Sequence, residues 1–181
     1  MKTKKIASIS TILLIGIIGF FACSKKSDNP VAPGNQTNEL KLTFGSQQLT
    51  FTNGIGGYAI NDDISYIQFT KAEAGDTLLF FMIFNGKTTG NQTWDSNGDT
   101  GVLLYQLGTS GVFIFSSSNG STNVTAYGNV GGFISGTFNG QLTDQNNSPV
   151  NVNGTFSVQR SSDIQTFGGE SKIKYQRERI E

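Results

Sequence analysis

Residues 133–159 read FISGTFNGQLTDQNNSPVNVNGTFSVQ, and this stretch decides the fold. On both sides of a polar loop, residues 144–148, apolar residues and glycines alternate with polar residues. A period of two is typical of a strand with one buried face. The stretch therefore predicts two strands, at 131–143 and 149–160, that pair as an antiparallel hairpin.

The glycines of this hairpin lie on its apolar face. Pairing centred on Asn146 sets Phe138 opposite Gly154 and Gly136 opposite Phe156. Each phenyl ring then covers the bare backbone of a glycine on the neighbouring strand while it also fills core volume. We interpret both glycines as packing features.

From Glu39 onward, short apolar or alternating runs are separated by Gly, Asn and Asp, and no long segment has a helical period. Turn signals every 8–12 residues or so are typical of an antiparallel sandwich or barrel. We predict an all-β fold: a single antiparallel β-sandwich or barrel of roughly 9–11 short strands, over residues 39–170. The other strands are predicted at 39–44, 48–52, 57–61, 64–71, 77–84, 91–95, 101–107, 111–117 and 121–128.

Two runs make more specific predictions. Leu78 to Phe84 is apolar at every position, which predicts a central strand covered on both faces. Asn119-Gly120 lies between two β-rich runs and matches a type I′ turn, since both central residues of that turn need positive φ. We therefore predict a second tight hairpin, with Phe115 opposite Val124.

The glycine-phenylalanine stretch also resembles a known group. Its Ile134-Ser-Gly-Thr-Phe138 strand, followed by Val150 to Val158, is similar to the "I-S-G-T-F … V-x-V-x-x-G-x-F-x-V" hairpin of Bacteroidetes-type lipoproteins that have no assigned activity. The resemblance covers about the last 40 residues of the domain. It implies an all-β fold and a location in the cell envelope, and it transfers no catalytic residue.

The N-terminus predicts export and a lipid anchor. Lys2, Lys4 and Lys5 precede a 16-residue apolar run, shorter than the about 20 residues of a transmembrane helix. Gly19 to Cys23 then resembles a lipobox, with Phe20 where Leu is usual. We predict a signal peptide at 1–22, and a flexible linker at 23–38 that begins at the lipidated (palmitate-bearing) Cys23. We predict that the protein is anchored at the outer membrane, and the sequence leaves the leaflet open.

Composition narrows the chemistry. The chain has no histidine and a single cysteine, so Ser-His-Asp and Cys-His catalysis and the usual zinc sites are excluded if Cys23 carries lipid. Removal of the three signal lysines leaves 10 basic residues against 13 acidic ones. This balance offers no basic face for nucleic acid. No cofactor is predicted, and any enzyme would have to use carboxylates.

Three weak candidate sites remain. Asp95, Asn97 and Asp99 place oxygen ligands two residues apart, which could hold Ca²⁺, although an ordinary Asx-rich turn is the simpler interpretation. Trp94 could stack on a sugar ring or could pack in the core. Thr77 follows Asp76 in a short pattern that resembles a Bacteroidetes O-glycosylation acceptor.

The leading functional hypothesis is a lipid-anchored, non-enzymatic β-domain that binds or scaffolds an envelope component. One alternative is a glycan-binding protein or a carboxylate-dependent glycan-active enzyme, and another is a calcium-stabilised adhesin-like module. The partners would be the membrane, through the anchor, and a glycan or an envelope protein. The charged stretch 171–181 is predicted to be a flexible tail or, alternatively, a segment that docks a partner.

Overall fold

A computed structural model describes residues 36–73, 75–95, 100–109 and 111–166. The regular secondary structure in these residues consists of strands and includes no helix, as the sequence predicts. The ten strands are β1 (Glu39–Phe44), β2 (Gln47–Phe51), β3 (Asn53–Ala59), β4 (Ile64–Glu73), β5 (Asp76–Asn85), β6 (Gly90–Thr93), β7 (Gly101–Gly108), β8 (Gly111–Tyr127), β9 (Phe133–Thr143) and β10 (Pro149–Gln159).

All ten strands belong to one antiparallel sheet that is nearly closed into a barrel. The strand order is β2-β1-β10-β9-β8-β7-β5-β4-β3, and β6 pairs with β8. The two end strands, β2 and β3, are consecutive in the chain and are separated by Thr52 alone. Closure comes from the segment that follows β10, which lies parallel to β3 through bridges between Gly56 and Arg160 and between Ala59 and Ile164.

The β9–β10 hairpin has the predicted register. Phe138 pairs with Gly154, and Phe156 pairs with Gly136. A Cβ added at Gly154 would lie 2.5 Å from Cζ of Phe138, and one at Gly136 would lie 2.7 Å from Cζ of Phe156. The rings therefore occupy the space that a side chain at either glycine would need, and the packing interpretation is confirmed.

Strand β5 is a central strand, since it pairs with β4 on one side and β7 on the other. Its inward residues, among them Phe80 and Met82, are buried in the barrel core. On the opposite face Ile83 is also buried, in a smaller cluster with Leu103 and Tyr105. The predicted central strand is thus confirmed, while its outward face is only partly covered, since Leu79 and Phe81 there are half-buried.

The predicted hairpin at Asn119-Gly120 is wrong. Residues 111–127 form one continuous strand, β8, in which Gly120 pairs with Gly140 of β9. A shift of register leaves Ser118 as an extra residue, which is a β-bulge. Gly120 has φ +142°, and a Cβ there would lie 2.5 Å from Cε3 of Trp94. Position 120 requires glycine because the indole ring of Trp94 occupies the space of a side chain, and not because the chain turns there.

Candidate functional site

The barrel closes along a line that we call the seam, where β3 faces residues 159–164. The backbone amide of Ser161 donates to the carbonyl of Gly56 at 2.8 Å, and that of Ile164 donates to the carbonyl of Tyr58 at 2.9 Å. Pairing of this kind satisfies the edge of β3 that β4 does not cover. The seam is therefore a short parallel ladder added to an otherwise antiparallel barrel.

The seam also contains a side-chain bridge at Asn38, immediately before β1. Its Nδ2 donates to the carbonyl of Gly54 at 2.9 Å, and its Oδ1 accepts from the backbone amide of Gln159 at 2.7 Å. A side-chain amide carries the same donor and acceptor as a peptide group. Asn38, the residue immediately before β1, therefore links β3 to β10 through its side chain.

A concave surface, the seam groove, lies on the outside of the barrel along this line and has a volume of about 490 Å³. Ligand pockets usually occupy roughly 300–1,000 Å³. Its lining consists mainly of amide and hydroxyl residues from three parts of the sheet: Asn38, Asn53, Gly54, Ile55, Gln68, Thr70, Gln159, Arg160 and Ser161. The groove is thus large enough for a small ligand, and most of the residues that line it have polar side chains.

The polar groups of the groove are only partly used by the protein itself. Asn53 Nδ2 donates to Thr70 Oγ1 at 2.8 Å, and Gln159 Nε2 donates to the carbonyl of Gly131 at 3.1 Å. Among the described residues, no side-chain hydrogen bond engages the half-buried amide of Gln68. Ile55 adds an apolar patch, since 46% of it is exposed. The groove therefore presents amide donors and acceptors beside an aliphatic surface.

A second concavity of about 670 Å³ adjoins the first and shares Asn38 and Gln159 with it. Its other lining residues are Gln36, Thr37, Glu39, Thr52 and Phe133. Glu39 is the one carboxylate among the described residues that line either concavity, and its Oε2 lies 2.9 Å from Nζ of Lys41. The combined surface is thus rich in amides and has little charge.

Charged residues gather instead at the adjacent end of the barrel. The guanidinium of Arg160 is buried, with NH1 donating to the carbonyl of Gly128 at 3.1 Å and NH2 donating to Asp163. Its Nε has no hydrogen-bond partner among the residues that the structure describes. Cζ of Arg160 lies 5.2 Å from the ring centroid of Tyr127, and Nζ of Lys87 lies 2.8 Å from Oδ2 of Asp163. A buried arginine is costly unless it is paired, so Asp163 holds this end of the seam together.

These contacts shift several pKa values. Hydrogen bonds from Lys87 and Arg160 lower the pKa of Asp163, although partial burial acts in the opposite direction. The phenol of Tyr58 donates to Oδ1 of Asp63 at 2.6 Å. That bond, with burial and the negative charge of the same carboxylate, raises the pKa of Tyr58 to about 12. The phenol of Tyr58 therefore stays protonated near neutral pH, and the carboxyl of Asp163 stays ionised.

The stacking role considered for Trp94 needs an exposed indole ring, and the structure shows a buried one. Trp94 is 5% exposed and belongs to the core. Its Nε1 donates to Oγ1 of the buried Thr122 at 2.9 Å. The indole lies over the backbones of Gly120 and Gly140. The alternative stated from the sequence, core packing, is the one that the structure supports.

The other predicted sites are only partly within the described residues. Asp95 is described, and its backbone amide donates to Thr100, but Asn97 and Asp99 lie outside the described residues, so the calcium site stays a prediction. Thr77 is exposed on β5, where it pairs with Ala72 and Leu107. The lipidation site, Cys23, also lies outside the described residues.

The sequence interpretation did not identify the residues that form the seam. The sequence places Asn38 in the predicted linker, and Gln68 is one polar position in a predicted strand. Arg160 does carry a signal, because it continues the alternating pattern of β10 onto the inward face, where a charge needs a partner. No local pattern joins these positions, since more than 100 residues separate Asn38 from Gln159.

Comparison with protein-family models, with curated proteins and with solved structures finds no match to this chain. Over the residues that the structure describes, no helix is long and apolar enough to cross a membrane. In the same residues, Asp, Glu, His and Cys side chains form no group of three that could hold a metal ion.

Proposed function

We propose that this chain is a lipid-anchored protein of the cell envelope whose barrel binds a ligand without transforming it. In this proposal Cys23 carries the lipid, the residues between Cys23 and the barrel are the tether, and the seam groove is the binding site. The lipobox-like sequence from Gly19 to Cys23 supports the anchor. Two or more acyl chains would make membrane attachment stable.

The lining of the seam groove is the observation that carries the binding role. The groove has amide and hydroxyl side chains, and none of the described residues that line it is a carboxylate. Hydrolysis of a glycoside without histidine normally uses two carboxyl groups about 5 to 9.5 Å apart across the bond that is cleaved. A set of amides can hold a ligand but cannot supply that acid and base.

The anchor is tested by metabolic labelling with a fatty acid in a host that processes bacterial lipoproteins. We expect label on the wild-type protein and none on Cys23→Ser, with the wild type in the membrane fraction. Wild-type protein that is exported without label would contradict the anchor.

The absence of turnover is tested separately with the purified protein. We expect no release of reducing sugar from polysaccharide substrates over prolonged incubation. Hydrolysis that disappears when Glu39 or another carboxylate is replaced by its amide would overturn the proposal of a non-enzymatic domain.

A further inference from the structure

We infer that the seam groove binds a neutral glycan, with Gln68 and Asn53 as the principal contacts. This inference rests on the proposed function, because it assigns a ligand class to the groove that the proposal names as the binding site. Three properties of the groove support it: its amide side chains, its lack of exposed charge, and the hydrogen bonds that the neighbouring backbone already makes.

The amide chemistry fits a ligand with many hydroxyl groups. A side-chain amide offers two N–H donors and one carbonyl acceptor, and a sugar hydroxyl can both donate and accept. Gln68 is half-buried on the outer face of β4. Asn53 is exposed on β3, where it pairs with Thr70 of β4. Ile55 pairs with Gln68, and 46% of it is exposed, so it can contact the aliphatic face of a sugar ring. Such a mixture of polar and apolar contacts suits a saccharide better than a purely apolar ligand.

The charge distribution argues for a neutral ligand. Arg160 is the one charged residue among the described residues that line the groove, and its guanidinium is buried against Asp163 and the carbonyl of Gly128. The lining therefore has no exposed cation for an acidic sugar and no carboxylate for a basic ligand. Binding to such a surface should depend little on salt.

The backbone at the seam argues against an extended peptide as the occupant. A peptide that adds to a sheet edge needs free backbone groups on that edge. Here the carbonyl of Gly54 accepts from Asn38, and that of Gly56 accepts from both the amide and the hydroxyl of Ser161. The carbonyl of Tyr58 accepts from the backbone amide of Ile164. These carbonyls are already engaged, so a peptide would find few free acceptors on this edge and recognition is left to the side chains.

The test is isothermal titration of the purified protein with neutral oligosaccharides: glucan, mannan, galactan and xylan fragments. A polygalacturonate fragment serves as the anionic comparison. The variants are Gln68→Ala and Asn53→Ala, and the matched control is Gln141→Ala, which removes an outward amide of similar burial from β9. We expect at least one neutral fragment to bind, with affinity reduced at least tenfold by Gln68→Ala, reduced by Asn53→Ala, and changed less than twofold by Gln141→Ala.

Three outcomes would overturn the inference: no binding of any neutral fragment at millimolar concentration, tighter binding of the anionic fragment, or equal loss in Gln68→Ala and Gln141→Ala. None of these touches the anchor, which depends on Cys23. Hydrolysis of a bound fragment would instead contradict the proposed function while leaving the ligand class intact, so the two failures are distinguishable.

Discussion

The β9–β10 hairpin and the seam belong to the same barrel but hold their strands together by different means. In the hairpin, eleven consecutive residue pairs and two phenyl rings over glycines hold neighbouring strands together. In the seam, β3 meets residues 159–164 through a few backbone hydrogen bonds, the side-chain amide of Asn38 and the ion pair between Arg160 and Asp163. The hairpin is mainly an apolar contact, whereas the seam is mainly polar.

This difference sets what each region contributes. Burial of large apolar side chains gives stabilisation that does not depend on the protonation of any group. Hydrogen bonds near the surface give less net free energy, and the ion pair between Arg160 and Asp163 also depends on protonation. We therefore expect the hairpin to carry the stability of the barrel, and the seam to open first when the protein is perturbed. The groove that we propose as the binding site lies along the weaker of the two.

The largest effect is expected for Phe138→Ala. Phe138 is 3% exposed, covers Gly154 and lies 5.4 Å from Phe80 between ring centroids. Replacement of a buried Phe by Ala typically lowers the free energy of unfolding by about 3–5 kcal/mol. Urea unfolding measures the loss. The control is Phe113→Ala, since Phe113 is 44% exposed and its replacement should cost at most about 0.5 kcal/mol. Similar losses in the free energy of unfolding for both variants would contradict the expectation that the hairpin carries the stability of the barrel.

A smaller loss is expected for Gly154→Ala. The new Cβ would lie 2.3 Å from the carbonyl oxygen of Lys41 and 2.5 Å from Cζ of Phe138. Such overpacking costs about 1–3 kcal/mol in the free energy of unfolding. The neighbouring exposed Thr155→Ala is the control. Adding Phe138→Leu should recover part of the loss because it frees the space above the glycine. A glycine kept for ligand access would instead tolerate alanine without loss of stability.

Asn38→Ala should cost about 1–2 kcal/mol, since it removes two hydrogen bonds worth about 0.5–1.5 kcal/mol each. Hydrogen exchange locates the effect: the amide of Gln159 should exchange faster, while amides inside the β9–β10 hairpin keep their protection. Asn38→Asp retains the acceptor for Gln159 but cannot donate to Gly54, so it should be intermediate. Equal acceleration at the hairpin and the seam would show that the seam does not open on its own.

The same contrast explains how far the sequence predicts the fold. The alternation in β9 and β10 is local, so both strands, their register and their glycine contacts were predictable. Asn119-Gly120 was misinterpreted because the ring that requires Gly120 belongs to Trp94, about 25 residues earlier. The dipeptide alone cannot distinguish a turn from a glycine beneath an aromatic ring.

The candidate groove could not be predicted at all, because its residues come from segments far apart in the chain. Gln68 and Gln159 are ordinary outward positions until the barrel closes. By contrast, the catalytic classes that composition excludes could be excluded without the structure. Sequence therefore limited the chemistry, and the closure of the barrel determined where polar side chains meet.

The smallest predicted effect is a pH-dependent loosening of the seam at Asp163. The pKa of this carboxyl is lowered by Lys87 and Arg160, so its ionised form is favoured by folding. Its contribution is complete above the ordinary Asp value of about 3.9 and is lost as the pH falls through the lowered value. Below about pH 4 the amide of Ile164 should exchange faster than hairpin amides. Lys87→Met should move the onset to higher pH, and Asp163→Asn should remove this pH dependence. If Ile164 is equally protected in wild type and Asp163→Asn at every pH, then the ion pair does not hold the seam and its closure depends on the backbone bonds and Asn38.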